Sequence, residues 1–164
     1  FGSSLPLRAR SCGAHGSGGH NTAGAAPGAR RLRVGGGGAM AGNFAQVGEQ
    51  FVQFYYQTFD TNRAGLANLY SDASMLTFEG EQFQGVQLIM QKLTSLQFQK
   101  VRHQIVKCDC HPNPTENGVI VFVTGNLFVD DNTNPLKFAQ VFYLKQSPAG
   151  SFFCQNDMFR LNIG

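Results

Sequence analysis

The chain has 164 residues, 42% of them hydrophobic, so it is long enough for one domain with a buried core and a flanking segment. Its net charge of +3 comes from the first 39 residues, which hold five arginines and no acid, while residues 40–164 carry 8 basic and 10 acidic side chains. The charge therefore gives no support to nucleic-acid binding, and no apolar run is long enough to span a bilayer.

Residues 1–39 form a leader whose composition differs from that of the rest of the chain. The leader holds 11 of the 20 glycines and has no aromatic residue after Phe1, so it buries too little surface to offset chain entropy. We predict that it is disordered. An Arg-rich segment without acids also resembles an organelle transit peptide. We favour a second interpretation, in which Met40 is the native start and the leader is non-native translated sequence.

Residues 40–164 are predicted to form one domain, which begins with helices. Apolar residues recur at steps of three and four from Asn43 to about Thr58, and Asn43 is a suitable N-cap. A turn at 60–63 precedes a short second helix whose apolar side carries Leu66 and Leu69. A strand at 74–79 and a third helix, with an apolar face from 86 to 96, complete this half.

The period of the pattern changes from 3.6 to 2 after Phe98. Strands are predicted from Val101, over 119–129, over 138–145 and over 151–161, and they are expected to pair as an antiparallel meander. Gly125 lies inside the second of these strands and indicates a bulge or bend. The element order predicts an α+β fold, a cone in which three N-terminal helices pack on a strongly bent antiparallel sheet. Such a cone has a pocket at its open end.

The cysteines give little support to a metal site. Cys108 and Cys110 lie on one face of a strand, but His111 is the nearest further ligand and no second ligand pair follows. We predict ordinary buried or half-buried thiols in a reducing compartment, with no metal and no cofactor.

Several stretches resemble the nuclear transport factor 2 family. They include "FVQFYYQTFDTNR", "LYSDASMLTFEGEQFQG" and "QNDMFRLN", and the resemblance runs from about Asn43 to the C-terminus. It implies a non-catalytic homodimeric carrier that binds Ran in its GDP form and FxFG-repeat nucleoporins. It also implies a protein of the cytoplasm, the nucleus and the nuclear pore, without nucleic-acid binding or membrane insertion.

The resemblance also implies a Ran-GDP site at the mouth of the cone. Phe78 would line the cavity, Glu79 would be an acid of its rim, and Asp130 and Asp131 would be further rim acids that pair with basic residues of Ran. The chain departs from the family pattern at Asn132, where relatives have another acid, and by two extra residues before the proline that follows.

A second site implied by the resemblance takes the FxFG repeats and uses Phe44, at the start of the first helix. Met158 and Phe159 alternate in the last strand, so one faces the core and the other faces the opposite side, which in this family is a dimer interface. We assign Met158 to that interface. Plain structural roles remain the alternatives, with Glu79 as a solvated strand end, the two aspartates as turn formers and Phe44 as a core residue.

An enzyme is the competing class, because the same cone fold houses dehydratases and isomerases that use a carboxylate or a histidine inside the cavity. Asp109 and His103 lie on one strand face, but six residues of strand separate them by roughly 20 Å. His103 is therefore interpreted as a structural histidine. An imidazole that touches a carboxylate at the cavity floor would favour the enzyme. A scaffold that binds RNA-export factors is a third class.

Overall fold

A computed structural model describes residues 43–98 and 100–162, and the predicted leader lies outside them. Two α-helices, one 3₁₀ helix and six strands of a single mixed sheet make up this part of the chain. The elements in order are α1 (Phe44–Thr61), the 3₁₀ helix (Arg63–Leu69), β1 (Tyr70–Phe78), β2 (Glu81–Gln84), α2 (Val86–Thr94), β3 (Val101–Asn113), β4 (Gly118–Val129), β5 (Leu136–Gln146) and β6 (Phe152–Leu161). Three helices beside one sheet confirm the predicted α+β fold.

Helix α1 buries one face against the sheet. Phe51, Tyr55 and Phe59 on that face are at most 6% exposed, as the spacing of the apolar residues predicts. Gly48 lies where the helix crosses β3, and a Cβ atom at this position would come within 2.3 Å of the Cys110 sulfur. The absent side chain therefore lets helix and sheet approach closely.

The start of α1 differs from the prediction at Asn43. The backbone of Asn43 is already helical (φ −112°, ψ −17°), and its side chain makes no capping hydrogen bond. An asparagine side chain caps a helix from an extended backbone, so this geometry puts the amide out of reach. The Asn43 carbonyl instead accepts the first helical hydrogen bond, from the Val47 N–H at 2.9 Å.

The strand order in the sheet is β2-β1-β6-β5-β4-β3. Strands β3 to β6 pair as the predicted antiparallel meander. Strand β1 departs from the expected antiparallel arrangement, because it pairs with β6 in parallel. Strand β2, which the sequence pattern does not predict, folds back on β1 with Phe78 opposite Glu81. Four residues with only one half-buried side chain carry too weak a pattern to be recognised as a strand.

The predicted irregularity at Gly125 is present, and the extra residue lies on the neighbouring strand. Gly125 pairs with Ile105, the next pair joins Thr124 to Lys107, and Val106 is therefore the bulged residue. A Cβ atom on Gly125 would come within 2.6 Å of the Gln104 carbonyl oxygen and 2.7 Å of the Phe138 ring. Only glycine at this position of β4 allows Gln104 of β3 and Phe138 of β5 to approach it so closely.

Candidate functional site

A cavity of about 680 Å³ lies between the helices and the sheet. Both α-helices, five strands and the turn after β4 contribute to its wall. The apolar side chains of the wall are Phe59, Leu76, Phe78, Leu93, Leu96, Phe98, Leu127, Val129, Leu136, Phe159 and Leu161. Most are large and about half are aromatic or β-branched, so the cavity suits an apolar ring more than a charged group.

The turn after β4 forms the mouth of this cavity. Asp130, Asp131 and Asn132 line the cavity and are exposed, whereas Tyr55 and Leu76 line it and are buried. The cavity thus runs from an acidic opening to a closed apolar interior.

Two backbone contacts fix the position of Asp130. Its N–H donates to the Lys100 carbonyl at 2.8 Å, and its Oδ1 accepts the Lys100 N–H at 2.9 Å. Its backbone is left-handed, with a φ of +51°. Within the described part of the chain, Asp131 makes one long contact, 3.9 Å from its Oδ1 to the Lys100 ammonium, and both side chains are largely in solvent. Such an exposed pair contributes little to stability, and it leaves the Asp131 carboxylate accessible from solvent.

Glu79 lies in the turn between β1 and β2, directly after Phe78. Its φ is +51°, its side chain is exposed, and one carboxylate oxygen accepts the backbone N–H of Leu161. Glu79 does not itself line the cavity. The residue before it, Phe78, does line the cavity, and so does Leu161, whose N–H donates to the Glu79 carboxylate. Glu79 and Asp130 therefore share one arrangement, in which a left-handed residue beside the cavity has its carboxylate anchored to a backbone N–H.

Phe78 forms part of an aromatic stack on the cavity wall. Its ring lies parallel to that of Phe159, with centroids 4.7 Å apart and an interplanar angle of 9°, and Phe159 stacks in turn on Phe138. Phe78 is half-buried and Phe159 is 5% exposed. The structure therefore places Phe78 at the outer end of the stack, where the cavity meets solvent.

A buried hydrogen-bonded cluster centred on Asp157 lies beside the cavity. Asp157 is inaccessible to solvent, and its carboxylate accepts hydrogen bonds from the Tyr70 hydroxyl (2.7 Å), the Tyr55 hydroxyl (3.2 Å) and the Gln140 amide (2.7 Å). Burial raises the pKa of the Asp157 carboxyl to about 6, although the three donors favour the ionised form. Burial likewise raises the pKa values of Tyr55 and Tyr70, so both hydroxyls stay protonated and able to donate.

A histidine–carboxylate contact is also present, and the sequence analysis did not identify it. His103 Nδ1 lies 2.6 Å from Asp60 Oδ1, and the His103 backbone N–H donates to Asp60 Oδ2 at 2.9 Å. Asp109, the carboxylate considered as a partner of His103 because it lies on the same strand, is exposed. The sequence pattern places Asp60 in a turn after the first helix, and pairing it with His103 requires knowing how α1 crosses β3.

His103 lines the cavity, and Asp60 does not. The Asp60 carboxylate receives both the ring and the backbone of His103, and the imidazole packs against the rings of Tyr56, Phe59 and Phe138. This arrangement ties β3 to the end of α1. The histidine–carboxylate contact expected of an enzyme is therefore present. Its role is structural, because both oxygens of the Asp60 carboxylate hold His103 in place.

Arg63 supports the wall of the cavity that follows α2. Its guanidinium donates to the carbonyls of Leu93 (3.2 Å), Leu96 (3.3 Å) and Phe98 (3.3 Å), and it lies over the Phe98 ring at 4.6 Å. These carbonyls belong to the end of a helix and the segment after it, where the backbone lacks helical partners. Sequence reasoning had assigned this arginine only to a turn.

The remaining predicted site residues lie away from the cavity. Phe44 is the first residue of α1 and is half-buried against the core. Met158 is 50% exposed while Phe159 is buried, as alternation along β6 predicts. Met158 pairs with Val141, which pairs with Phe122, so three apolar side chains form one row across the outer face of the sheet.

Within residues 43–98 and 100–162, no group of three or more His, Cys, Asp or Glu side chains is placed to hold a metal ion. Cys108 and Cys110 are half-buried, with sulfurs 3.8 Å apart. Burial and the neighbouring Cys110 raise the pKa of Cys108 to about 12, so its thiol stays protonated at neutral pH. No helix in this part of the chain has both the length and the hydropathy to cross a membrane.

Known proteins resemble this chain in sequence and in structure. The family model of the nuclear transport factor 2 domain matches residues 47–161. Nuclear transport factor 2B of Arabidopsis thaliana is 55% identical over 116 residues, which cover 71% of this chain and 92% of the relative. Nuclear transport factor 2 of Emericella nidulans is 55% identical over 119 residues, 73% of this chain and 95% of the relative.

The solved structure of nuclear transport factor 2 from Cryptosporidium parvum superposes with a TM-score of 0.70 at 55% identity, covering 74% of this chain and 96% of that one. These relatives are named as transport factors and not as enzymes.

Proposed function

The chain belongs to the nuclear transport factor 2 family, and from that premise we propose that it binds Ran-GDP at the mouth of the cavity and carries Ran into the nucleus. It acts as a transport carrier and catalyses no reaction, as the names of relatives at 55% identity indicate. Its place of action is the cytoplasm, the nuclear pore and the nucleus. The observation that carries the proposal is an apolar cavity with acids at its mouth.

The geometry gives each part of the mouth a task. An aromatic side chain of Ran that enters between Phe78 and Leu127 leaves water, and burying a phenyl ring contributes about 1.5–3 kcal/mol. Glu79, Asp130 and Asp131 then meet basic residues of Ran beside that ring. Charge pairs at a rim orient the partner and reject wrong ones more than they add affinity.

Selectivity for the nucleotide state follows from the need for two simultaneous contacts. If the GDP form of Ran presents an aromatic and a basic side chain together, and the GTP form does not, only the first engages both the cavity and its rim. The carrier needs no conformational change to discriminate between the GDP and GTP forms, because the rim acids Glu79 and Asp130 are already anchored by backbone hydrogen bonds.

Two further surfaces complete the proposal. Phe44 would contact FxFG repeats, since its half-buried ring lies at the first position of α1. The row of Phe122, Val141 and Met158 would be covered in a homodimer, because apolar side chains on the open face of a sheet mark an interaction surface.

The proposal is tested by measuring binding of Ran-GDP, Ran-GTP and an FxFG-repeat peptide by calorimetry. We expect Glu79→Lys to abolish Ran-GDP binding and leave FxFG binding unchanged, and Phe44→Ala to do the reverse. Glu49→Lys is the matched control, because Glu49 is an exposed acid on α1 away from the cavity. Equal affinity for Ran-GDP and Ran-GTP, or retention of Ran-GDP by Glu79→Lys, would contradict the rim assignment.

A further inference from the structure

His103 presents an unused hydrogen-bonding atom to the cavity. Its side chain is 3% exposed, and its Nδ1 is hydrogen-bonded to the Asp60 carboxylate. Among the described residues, the opposite ring nitrogen, Nε2, has no hydrogen-bond partner, and no fully buried side-chain nitrogen or oxygen lacks one. Nε2 therefore keeps contact with the open space that the ring lines.

The two other polar side chains of the inner wall, Gln140 and Tyr55, use all their N–H and O–H donors within the protein. The Gln140 carbonyl accepts from the Tyr56 hydroxyl at 2.8 Å, and its amide donates to Asp157 and to the Tyr55 hydroxyl. The Tyr55 hydroxyl in turn donates to Asp157. The Gln140 carbonyl already accepts one hydrogen bond and the Tyr55 hydroxyl accepts one from Gln140, whereas His103 Nε2 accepts none from the described residues, so a ligand hydroxyl gains most at His103.

The tautomer of the neutral imidazole follows from its partner. In the neutral ring one nitrogen donates and the other accepts, and the nitrogen that faces the Asp60 carboxylate takes the proton. Nε2 then offers a lone pair. Asp60 also fixes the direction of this lone pair, because it holds both the ring and the backbone N–H of His103.

The cavity is larger than one aromatic side chain requires. Its volume of about 680 Å³ is several times the roughly 150 Å³ of an apolar cavity that binds benzene. It also falls within the range of small-molecule sites, about 300–1,000 Å³. The volume is therefore sufficient for a small aromatic molecule in contact with His103.

We propose that the interior of the cavity binds a small neutral aromatic alcohol, whose ring packs on the apolar wall and whose hydroxyl donates to His103 Nε2. The proposal deepens the proposed function and rests on it, since such a ligand occupies the space that the aromatic side chain of Ran would enter. The ligand would then regulate the carrier by competition.

The surroundings select this chemistry. An anion would meet the carboxylates of Asp130 and Asp131 at the mouth, and a charged group of either sign would lose its hydration inside a wall of leucines and phenylalanines. A neutral hydroxyl loses less, and it recovers a hydrogen bond at Nε2. An aromatic body suits the rings of Phe59, Phe98 and Phe159.

The test compares p-cresol with p-xylene, which has the same shape but replaces the hydroxyl by a methyl group. Binding to the full chain is followed by NMR titration, for the wild type and for His103→Phe. We expect the preference for p-cresol over p-xylene to fall by about fivefold or more in the variant, because the hydroxyl of p-cresol loses its acceptor, His103 Nε2. An unchanged ratio would overturn the proposal.

A readout on the wild type keeps the test decisive if His103→Phe does not fold. The ¹⁵N resonance of His103 Nε2 is expected to shift on adding p-cresol and to stay in place with p-xylene. Equal shifts with both probes, or none with either, would overturn the proposal.

A competition assay separates this inference from the proposed function. If p-cresol shifts Nε2 and weakens Ran-GDP binding, both stand. If p-cresol shifts Nε2 while Ran-GDP binding is unaffected, the ligand site is supported but its regulatory role, and entry of Ran into the cavity, are contradicted. If Ran-GDP binds normally and p-cresol gives no response that depends on His103, the inference fails and the carrier function stands.

Discussion

The carboxylate of Asp60 holds His103 at two points, with Oδ1 2.6 Å from the ring Nδ1 and Oδ2 2.9 Å from the backbone nitrogen. One residue of α1 thereby fixes both the position of β3 and the orientation of an imidazole in the cavity wall.

We expect Asp60→Asn to destabilise the protein by about 1–3 kcal/mol, because the amide has one acceptor oxygen for two donors and leaves a buried donor unsatisfied. Urea unfolding of the variant measures the change. Asp72→Asn is the control, since Asp72 is exposed on β1 and is expected to change stability by less than about 0.5 kcal/mol. Equal stability of the two variants would show that the Asp60 contact contributes nothing.

The buried Asp157 predicts a dependence of stability on pH. Its pKa in the folded protein is about 6, above the ordinary value of 3.8, so the folded state binds the proton more tightly than the unfolded state does. The resulting stabilisation is complete below about pH 3.8 and is lost as the pH rises through 6. Its size is about 3 kcal/mol.

Asp157→Asn removes this titration and retains a polar side chain for Tyr55, Tyr70 and Gln140. We expect the stability of the wild type, relative to this variant, to fall between pH 4 and pH 6 and then to stay level. Parallel curves of unfolding free energy against pH would contradict the assignment.

Arg63 predicts an effect on the cavity wall. Arg63→Lys keeps the charge but loses the planar fork that reaches three carbonyls, and we expect it to cost about 1–2 kcal/mol. Hydrogen exchange is expected to rise between residues 93 and 98. The control is Arg102→Lys, because Arg102 is exposed and lies over a single ring, that of Phe128. Unchanged exchange in this segment would mean that Arg63 does not support the wall.

The outer face of the sheet predicts the oligomeric state. Met158→Lys places a charge in the row shared with Phe122 and Val141, and we expect it to weaken a homodimer roughly tenfold or more, because the charge loses hydration on association. Sedimentation equilibrium measures the change. Leu88→Lys is the matched control, since Leu88 is 51% exposed but lies on α2. A wild type that stays monomeric at micromolar concentration would exclude the dimer.

The helices and the antiparallel meander could be predicted because the apolar residues of each element repeat at a regular local spacing in the sequence. Phe51, Tyr55 and Phe59 repeat at helical spacing, and Met158 and Phe159 alternate as a strand requires. The parallel pairing of β1 with β6 could not, because the partners lie about eighty residues apart and no local pattern encodes which strands meet.

The candidate site shows the same contrast between features that the sequence indicates and contacts that depend on long-range packing. Phe78 and the acids near it are proposed as site residues through a family resemblance, whereas the Asp60–His103 and Arg63 contacts depend on how distant elements cross.

The place of β6 in the sheet bears on how the protein is made. Strand β6 follows the other five strands in the chain, yet it lies between β1 and β5 and pairs with both. During translation the meander of β3 to β5 therefore emerges with the β5 edge unpaired, and β1, which pairs with β2 and packs on α2, lacks its parallel neighbour. The cavity closes only when Phe159 leaves the ribosome, so a nascent chain stalled just before β6 exposes two strand edges to chaperones.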